Sequence, residues 1–128
     1  MPKRILVVGG VAGGASAAAR ARRLDESAEI IVFEKGPHAS FSNCSLPFYL
    51  SGIVEDVDSL VLMNPEKFKK QYNLEVRVNS EVVKINRDRK TITVKDLNTG
   101  EEYEEAYDKL ILSPGASPIK PRSIEGIH

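Results

Sequence analysis

The sequence has no tryptophan, a single cysteine and two histidines, and neither sign of charge is in excess, with 18 basic against 18 acidic residues. One cysteine cannot form an internal disulfide or a cysteine-rich metal site, and two histidines contribute little to other metal centres. We therefore predict no metal site. A net charge of zero gives no electrostatic reason to expect nucleic acid or an anionic membrane as a partner.

Long hydrophobic runs are also missing, since no stretch approaches the roughly 20 apolar residues that cross a bilayer. The first residues superficially resemble a signal peptide, because Lys3 and Arg4 precede an apolar run that ends in small residues. Glycines at four of the six positions from Gly9 to Gly14 would break up a hydrophobic helix, which argues against that interpretation. The composition, 41% hydrophobic and 28% charged, instead favours one folded domain in the reducing cytoplasm.

The start of the chain has the pattern of a βαβ unit, in which a helix joins two parallel strands. Uninterrupted apolar residues predict buried strands over 4–8 and 30–33, because both faces of a parallel sheet are covered. Between them a glycine turn leads into an alanine-rich helix predicted over 15–24. The fold class is therefore α/β with a Rossmann-like parallel sheet.

The rest of the chain adds shorter elements. Alternating residues and turn signals predict a three-stranded antiparallel β-meander over 81–85, 91–94 and 101–106. We also predict a short helix over 44–50, a helix that begins at Asn64-Pro65, and strands over 74–78 and 109–112. Residues 1–115 would then be the folded part, and residues 116–128 a connector toward a further domain of a longer protein.

The junction between the first strand and the helix has the features of a dinucleotide site, where backbone N–H groups and the helix dipole meet a pyrophosphate. Gly9 would make the tight turn and Gly14 would allow close packing of the helix, while Val11 replaces the usual central glycine. Glu34 follows Gly14 by 20 residues and ends the second strand, where a carboxylate binds ribose hydroxyls. Free ribose hydroxyls favour FAD or NAD over NADP. The alternative is a tight loop beside a solvated strand end.

The single cysteine, Cys44, admits two interpretations. A lone cysteine is most often a small buried hydrophobe. Here three serines and an asparagine lie within four residues of it, and it follows Glu34 by ten residues, on the cofactor side of the predicted sheet. A helix start at this position would lower the pKa of the thiol through the helix dipole. A reactive thiol is therefore as well supported as a buried structural one.

Four motifs can be recognised together: SFSNCSLPFYLSG, preceded by VVGGVAGGASAAARARRLD and IIVFEKG, and followed by YDKLILSPGASP. In these motifs the chain closely resembles the coenzyme A-disulfide reductase family. That family belongs to the single-cysteine class of FAD-dependent pyridine nucleotide-disulfide oxidoreductases. The resemblance implies that residues 1–115 are the amino-terminal part of an FAD-binding domain, and that residues 116–128 lead toward an NAD(P)H-binding domain.

The resemblance also implies roles for matching positions. Cys44 would attack coenzyme A disulfide, or a related persulfide, and hold one half as a mixed disulfide, with electrons arriving from NAD(P)H through FAD. FAD would contact Gly9, Val11, Ala12, Gly14, Glu34, Lys35, Asn43, Val83, Ser113 and Gly115. Coenzyme A would contact Ser16, Arg20, Arg23, Ser40 and Asn43. A further lysine contact of the family falls at Tyr72 in this chain, where Lys69 or Lys70 would substitute. Without the resemblance, the arginines of the helix are more simply a solvated face.

Three positions distinguish this chain from relatives of the same class. Dithiol reductases have a second cysteine five positions after the first, where this chain has Tyr49. Peroxidases and oxidases of the class have a histidine in the glycine turn, where this chain has Ala12. Disulfide or persulfide reduction is therefore favoured, with NADH oxidase or peroxidase activity as the alternative. Ser45 is a further departure, because many relatives have glycine or alanine there.

The family's protein is several times longer than this chain, and its second flavin-binding stretch, NAD(P)H domain and dimerisation domain have no counterpart here. A second hypothesis is therefore that the 128 residues alone are a non-catalytic nucleotide-binding module. The resemblance implies a homodimer for the longer parent. Apolar surface left exposed on the sheet and along residues 15–21 would favour non-native association of the shorter chain.

Overall fold

The computed structural model describes residues 1–127 and contains a four-stranded parallel sheet and a three-stranded antiparallel sheet. The predicted α/β class with an added β-meander is confirmed. The strands are β1 (Arg4–Val8), β2 (Glu29–Phe33), β3 (Glu75–Arg77), β4 (Ser80–Asn86), β5 (Thr91–Asp96), β6 (Glu102–Ala106) and β7 (Lys109–Leu112). The α-helices are α1 (Ala12–Leu24), α2 (Leu46–Leu50) and α3 (Pro65–Tyr72), and 3-10 turns cover Asn43–Ser45 and Val57–Leu60.

The parallel sheet has the order β3-β2-β1-β7 and is covered on both faces, which explains the uninterrupted apolar runs of β1 and β2. On one face Val7 and Val32 pack with Ala18 of α1 and Phe68 of α3. On the other face lies the meander. There the buried side chains are Leu6, Ile31, Phe33, Ile92 and Val94.

Helix α1 begins at Ala12, three residues before the predicted start at position 15. Gly13 and Gly14, predicted to precede the helix, with Gly14 allowing its close packing, lie inside the first helical turn. A Cβ atom at Gly14 would lie 1.6 Å from the carbonyl oxygen of Gly9. A glycine is therefore needed inside the helix because the helix backbone touches the end of β1.

The predicted helix over 44–50 is divided in two. Asn43–Ser45 forms a 3-10 turn, and the α-helical part begins only at Leu46, with Pro47 in its first turn. The other elements match the predictions closely. Asn64 caps α3 by accepting a hydrogen bond from the Lys67 amide, with Pro65 as the first helical residue.

Residues 116–127 contain no helix or strand, and whether they lead to a further domain stays a prediction. The predicted exposure along residues 15–21 is partial, because Ala18 is fully buried and the neighbouring alanines are half-buried. On the parallel sheet, Leu112 of the edge strand β7 is 56% exposed. Further exposed apolar side chains lie in and after α2: Leu46, Phe48, Tyr49, Leu50 and Ile53. Within residues 1–127 there is no helix whose length and hydrophobicity would let it span a membrane.

Candidate active site

The glycine turn lies at the carboxyl end of the parallel sheet, between the ends of β2 and β7. Gly9 has a φ of +95°, which favours glycine, and a Cβ there would lie 2.0 Å from the carbonyl oxygen of Ser113. The Gly9 amide donates to the carbonyl of Phe33 at 2.8 Å, and the Ser113 amide donates to that of Val8 at 2.8 Å. Backbone hydrogen bonds thus join the end of β1 to the end of β2 on one side and to the residue after β7 on the other.

Within residues 1–127, no side chain caps the amino terminus of α1. Val11 occupies the cap position without a side-chain hydrogen bond, and the first turn carries no acidic residue. The exposed Ala12 and Gly13 present this end to solvent. Because the first N–H groups of a helix need acceptors, this end of α1 fits the pyrophosphate of a dinucleotide.

Glu34 links the glycine turn to the end of β2. Its carboxylate accepts hydrogen bonds from the Gly10 amide at 3.0 Å and from the Gly36 amide at 2.7 Å. The position is the one expected for a ribose-binding acid, and both oxygens keep acceptor capacity beyond these bonds. The carboxylate therefore also holds the turn in place, a contribution that the sequence analysis did not assign to it.

A cleft of about 210 Å³ opens beside this carboxylate. It brings Gly9, Glu34 and Lys35 together with β4, as expected for one end of a nucleotide site. Its lining is Val8, Gly9, Phe33, Glu34, Lys35, Ser80, Glu81, Val82 and Pro114.

Three predicted cofactor contacts flank the cleft without lining it. Val83 lies in a bulge of β4, where the pairing register skips from Val82 to Lys84, and its side chain is half-exposed. A bulge takes a residue out of the strand ladder, which suits the predicted contact of Val83 with FAD. Ser113 follows β7 beside the glycine turn, and Gly115, exposed with a φ of +71°, follows two residues later.

Cys44 is exposed, which agrees with the reactive interpretation and excludes the buried structural one. Its Sγ lies 3.6 Å from the Oγ of Ser42. Hydrogen bonding from Ser42 lowers the pKa of the thiol, with a smaller contribution from Ser45, against a partial opposing effect of burial. Cys44 lies in the 3-10 turn that leads directly into α2, close to the predicted helix start, and an effect of the helix dipole on the thiol stays a prediction.

The loop that carries Cys44 is attached to the glycine turn. The Ser40 amide donates to the Gly10 carbonyl at 2.7 Å, with Ser40 in the left-handed region at a φ of +53°. The Ser42 amide donates to the Leu60 carbonyl at 2.8 Å. The thiol and the predicted nucleotide turn therefore belong to one hydrogen-bonded unit, and the exposed Asn43 lies next to Cys44 within it.

The predicted coenzyme A contacts on α1 form one exposed stripe. Ser16, Arg20 and Arg23 are exposed and are spaced four and three residues apart, so they share a helix face. Arg23 and Lys70 line a groove of about 400 Å³ between the carboxyl ends of α1 and α3. This placement favours Lys70 over Lys69, which is absent from the lining of that groove.

Arg22, on the same helix, forms hydrogen bonds to the backbone of its own chain. Its guanidinium donates to the carbonyl oxygens of Asp25, Glu26 and Asn73, at 3.2, 2.7 and 2.9 Å. It therefore ties the end of α1 to the end of α3. Nothing in the sequence distinguished Arg22 from its neighbours, because the carbonyls that it contacts are defined only by the tertiary fold. Across residues 1–127, no cluster of three histidine, cysteine or acidic side chains could hold a metal ion.

Comparison with known proteins places this fold and site in a family. The family model for pyridine nucleotide-disulphide oxidoreductase matches residues 3–128, and the chain belongs to that family. Within it, coenzyme A disulfide reductase of Staphylococcus aureus strain JH9 is 50% identical over 117 residues, which are 91% of this chain and 26% of that protein. The resemblance inferred from the motifs is thus confirmed. The chain spans about a quarter of the length of the curated relatives it matches.

Solved structures give the same result. The reduced Bacillus anthracis CoADR-RHD has 55% sequence identity and a TM-score of 0.90, over 95% of this chain and 22% of that one. The NAD-dependent persulfide reductase from A. fulgidus has 39% identity and a TM-score of 0.87, over 93% of this chain and 22% of that one. The chain is therefore similar to both a coenzyme A disulfide reductase and a persulfide reductase.

Proposed function

We propose that this chain is the amino-terminal part of the FAD-binding domain of an NAD(P)H-dependent coenzyme A-disulfide reductase, with Cys44 as its nucleophile. The main supporting observation is that an exposed thiol with a lowered pKa lies on a loop that is hydrogen-bonded to the glycine turn through Ser40 and Gly10. A thiol at such a place can react with a disulfide while staying next to a bound dinucleotide.

The residues for FAD fall into two groups. The start of α1, with Val11, Ala12 and Gly14, would bind the pyrophosphate, because it has no side-chain cap and the first N–H groups of a helix need acceptors. The cleft beside Glu34 and Lys35 would hold the adenosine, with backbone from Val83 at its edge. Ser113 and Gly115 would close the flavin side, next to Asn43. FAD, when bound, supplies the transfer of electrons from NAD(P)H to sulfur.

Cys44 would be the reacting group that this chain contributes. Its thiolate sulfur would form a bond to one sulfur of coenzyme A disulfide, the S–S bond of the substrate would break, and the other half would leave as a thiolate. The half that stays would form a mixed disulfide with Cys44. The exposure of Cys44 leaves room for a large disulfide to approach.

Coenzyme A would be held along α1. The stripe of Ser16, Arg20 and Arg23 runs from the glycine turn toward the groove lined by Arg23 and Lys70. The charged residues that line this groove are Arg22, Arg23 and Lys70 together with one acid, Glu26. The excess of positive charge suits a phosphate group, and the forked guanidinium matches phosphate oxygens. Ser40 and Asn43 would contact the substrate near the thiol. We further propose a reducing, cytoplasmic setting, which keeps Cys44 reduced, and a homodimeric parent.

The first experiment is a titration of the 128-residue chain with FAD, followed by flavin fluorescence. We expect saturable binding that weakens at least tenfold in the Glu34→Ala variant. Glu104→Ala is the matched control, because Glu104 lies in the meander and is outside the cleft lining. Equal affinity of the Glu34→Ala variant and the wild type would refute the assigned site.

The substrate is tested in the full-length parent. Turnover with coenzyme A disulfide, a persulfide, oxygen and peroxide as acceptors separates the proposed reductase from an oxidase or peroxidase, which Ala12 in the glycine turn disfavours. We expect disulfide or persulfide turnover to be lost in Cys44→Ser. A parent that keeps its turnover with Cys44→Ser would show that the proposed mechanism is wrong.

A further inference from the structure

One hydroxyl group lies next to the sulfur of Cys44, and a second is hydrogen-bonded to the first. The Oγ of Ser42 lies 3.6 Å from the Cys44 Sγ and 2.8 Å from the Oγ of Ser45. Ser42 therefore stands between the thiol and a second hydroxyl. Its own position is fixed by the backbone, because its amide donates to the carbonyl of the buried Leu60 and its carbonyl accepts from the Ser45 amide at 3.1 Å.

The donors can be assigned from the chemistry of the three groups. A serine hydroxyl has one proton to donate and two lone pairs to accept with. A thiolate only accepts, so in the ionised state the Ser42 hydroxyl donates to the sulfur. Ser45 then donates to the Ser42 oxygen, which polarises the Ser42 hydroxyl and strengthens its bond to the sulfur.

Charged groups do not explain the acidity of this thiol. The contributions that lower the pKa of Cys44 come from the Ser42 hydroxyl, the Ser45 hydroxyl and the backbone. The other titratable side chains between residues 36 and 60 are not among the groups that shift it: His38, Tyr49, Glu55, Asp56 and Asp58. Helix α2 has only five residues and begins after Cys44.

We propose that Ser42 and Ser45 form a hydroxyl relay that holds the Cys44 sulfur in its ionised form and sets how fast it reacts at neutral pH. The inference rests on the proposed role of Cys44 as the nucleophile, and Ser42 and Ser45 are positioning residues in it. During attack the sulfur gives an electron pair to a new S–S bond and loses its negative charge, so the Ser42 hydroxyl is released from it. The charge leaves with the departing thiolate, which takes a proton from water.

The test is the pH dependence of Cys44 alkylation by iodoacetamide, measured on the 128-residue chain by intact mass. Iodoacetamide reacts with the thiolate, so the midpoint of the rate profile reports ionisation of the thiol, and the plateau at high pH reports access. We expect Ser42→Ala to move the midpoint to higher pH and to slow alkylation at pH 7 roughly two- to fivefold, with the plateau unchanged. Ser45→Ala should move the midpoint in the same direction by less.

Two variants serve as controls. Ser42→Thr keeps the hydroxyl and should keep the wild-type midpoint. Ser51→Ala removes a hydroxyl that donates to the Phe48 carbonyl at 3.0 Å, away from the sulfur, and should leave the profile unchanged. An unmoved midpoint in Ser42→Ala, or an equal shift in Ser51→Ala, would overturn the relay. If Ser42→Ala fails to fold, an unmoved midpoint in Ser45→Ala overturns it instead.

A second measurement separates this inference from the proposed function. Coenzyme A disulfide is mixed with the wild-type chain and its variants, and mixed-disulfide formation is followed by intact mass at pH 7. If the wild-type chain and its variants rank in the same order for mixed-disulfide formation as for alkylation, both proposals are supported. A shifted alkylation profile together with no reaction with coenzyme A disulfide would retain the relay and refute the proposed substrate.

Discussion

The guanidinium of Arg77 lies 2.6 Å from the carboxylate of Glu105 and thereby joins the two sheets of the molecule. Arg77 belongs to β3 of the parallel sheet, and Glu105 belongs to β6 of the meander. The same carboxylate also pairs with Arg4 of β1 at 2.6 Å. Arg77 lies over the rings of Phe33 and Tyr103, at 5.4 and 5.8 Å from their centroids. Because Phe33 and β4 line the proposed adenosine cleft, this ion pair holds the walls of the cleft together.

Replacing Glu105 by glutamine should destabilise the fold. Glu105 is only 14% exposed, and its loss leaves Arg4 and Arg77 without their shared partner. We expect the free energy of unfolding to fall by about 1–3 kcal/mol, as measured by urea denaturation. FAD affinity should fall with it, since the meander carries one wall of the cleft.

Glu104→Gln is the matched control, because Glu104 precedes Glu105 and pairs with Arg89 at the surface. Its side chain is 46% exposed, and such pairs contribute little. Its free energy of unfolding should stay within about 0.5 kcal/mol of the wild type. Equal losses in Glu104→Gln and Glu105→Gln would contradict a specific contribution of the inter-sheet ion pair.

Glu105 should also make the free energy of unfolding depend on pH in the acid range. Burial raises the pKa of Glu105, but hydrogen bonds from Arg77 and Arg4 outweigh it, so the pKa lies below the ordinary value of 4.5. A carboxyl with a lowered folded-state pKa stabilises the protein above its unfolded value and loses that contribution as pH falls through the folded value. We therefore expect the free energy of unfolding to decline below about pH 4.5, and to decline less in Glu105→Gln. Identical pH profiles for the two proteins would refute this assignment.

The sequence predicted the features that depend on local pattern. Apolar runs identified β1 and β2, alternation identified β5, and Asn64-Pro65 identified the start of α3. The glycine turn and the close packing at Gly14 were predicted correctly. The start of α1 was not, because glycines at 13 and 14 are poor helix formers and yet lie inside its first turn.

The thiol site was predictable in part. Polar neighbours of Cys44 indicated exposure, which the structure confirms. The hydrogen bond that lowers the pKa of the thiol was not predictable, because it depends on the position of Ser42. That position is fixed by a hydrogen bond to the carbonyl of Leu60, which is 18 residues away in the chain. The position of Arg22 at the end of α3 is likewise a product of tertiary packing. Contacts between distant segments carry no local signal in a single sequence.

Alanine substitutions at Gly14 and Gly13 test how closely α1 packs against the end of β1. Gly14→Ala would place its Cβ 1.6 Å from the Gly9 carbonyl oxygen, so α1 must shift away from β1. We expect a loss of at least about 3 kcal/mol of unfolding free energy, or failure to fold. Gly13→Ala meets only the Ser113 side chain, with its Oγ at 3.1 Å, and gains helix propensity, so its stability should stay within about 1 kcal/mol. Equal tolerance of both substitutions in thermal unfolding would contradict this packing.

Substitutions at the adjacent residues Arg22 and Arg23 should change different properties. At Arg22 the stability of the fold should fall, and at Arg23 the affinity for coenzyme A should fall. Arg22→Gln removes hydrogen bonds to the carbonyls of Asp25, Glu26 and Asn73, so the free energy of unfolding should fall by about 1–2 kcal/mol. Arg23→Gln removes an exposed cation and should leave stability within about 0.5 kcal/mol. Because a guanidinium in the groove binds phosphate, Arg23→Gln should weaken coenzyme A binding, measured by calorimetry, roughly three- to tenfold. Unchanged coenzyme A affinity in Arg23→Gln would show that the groove is not the phosphate site.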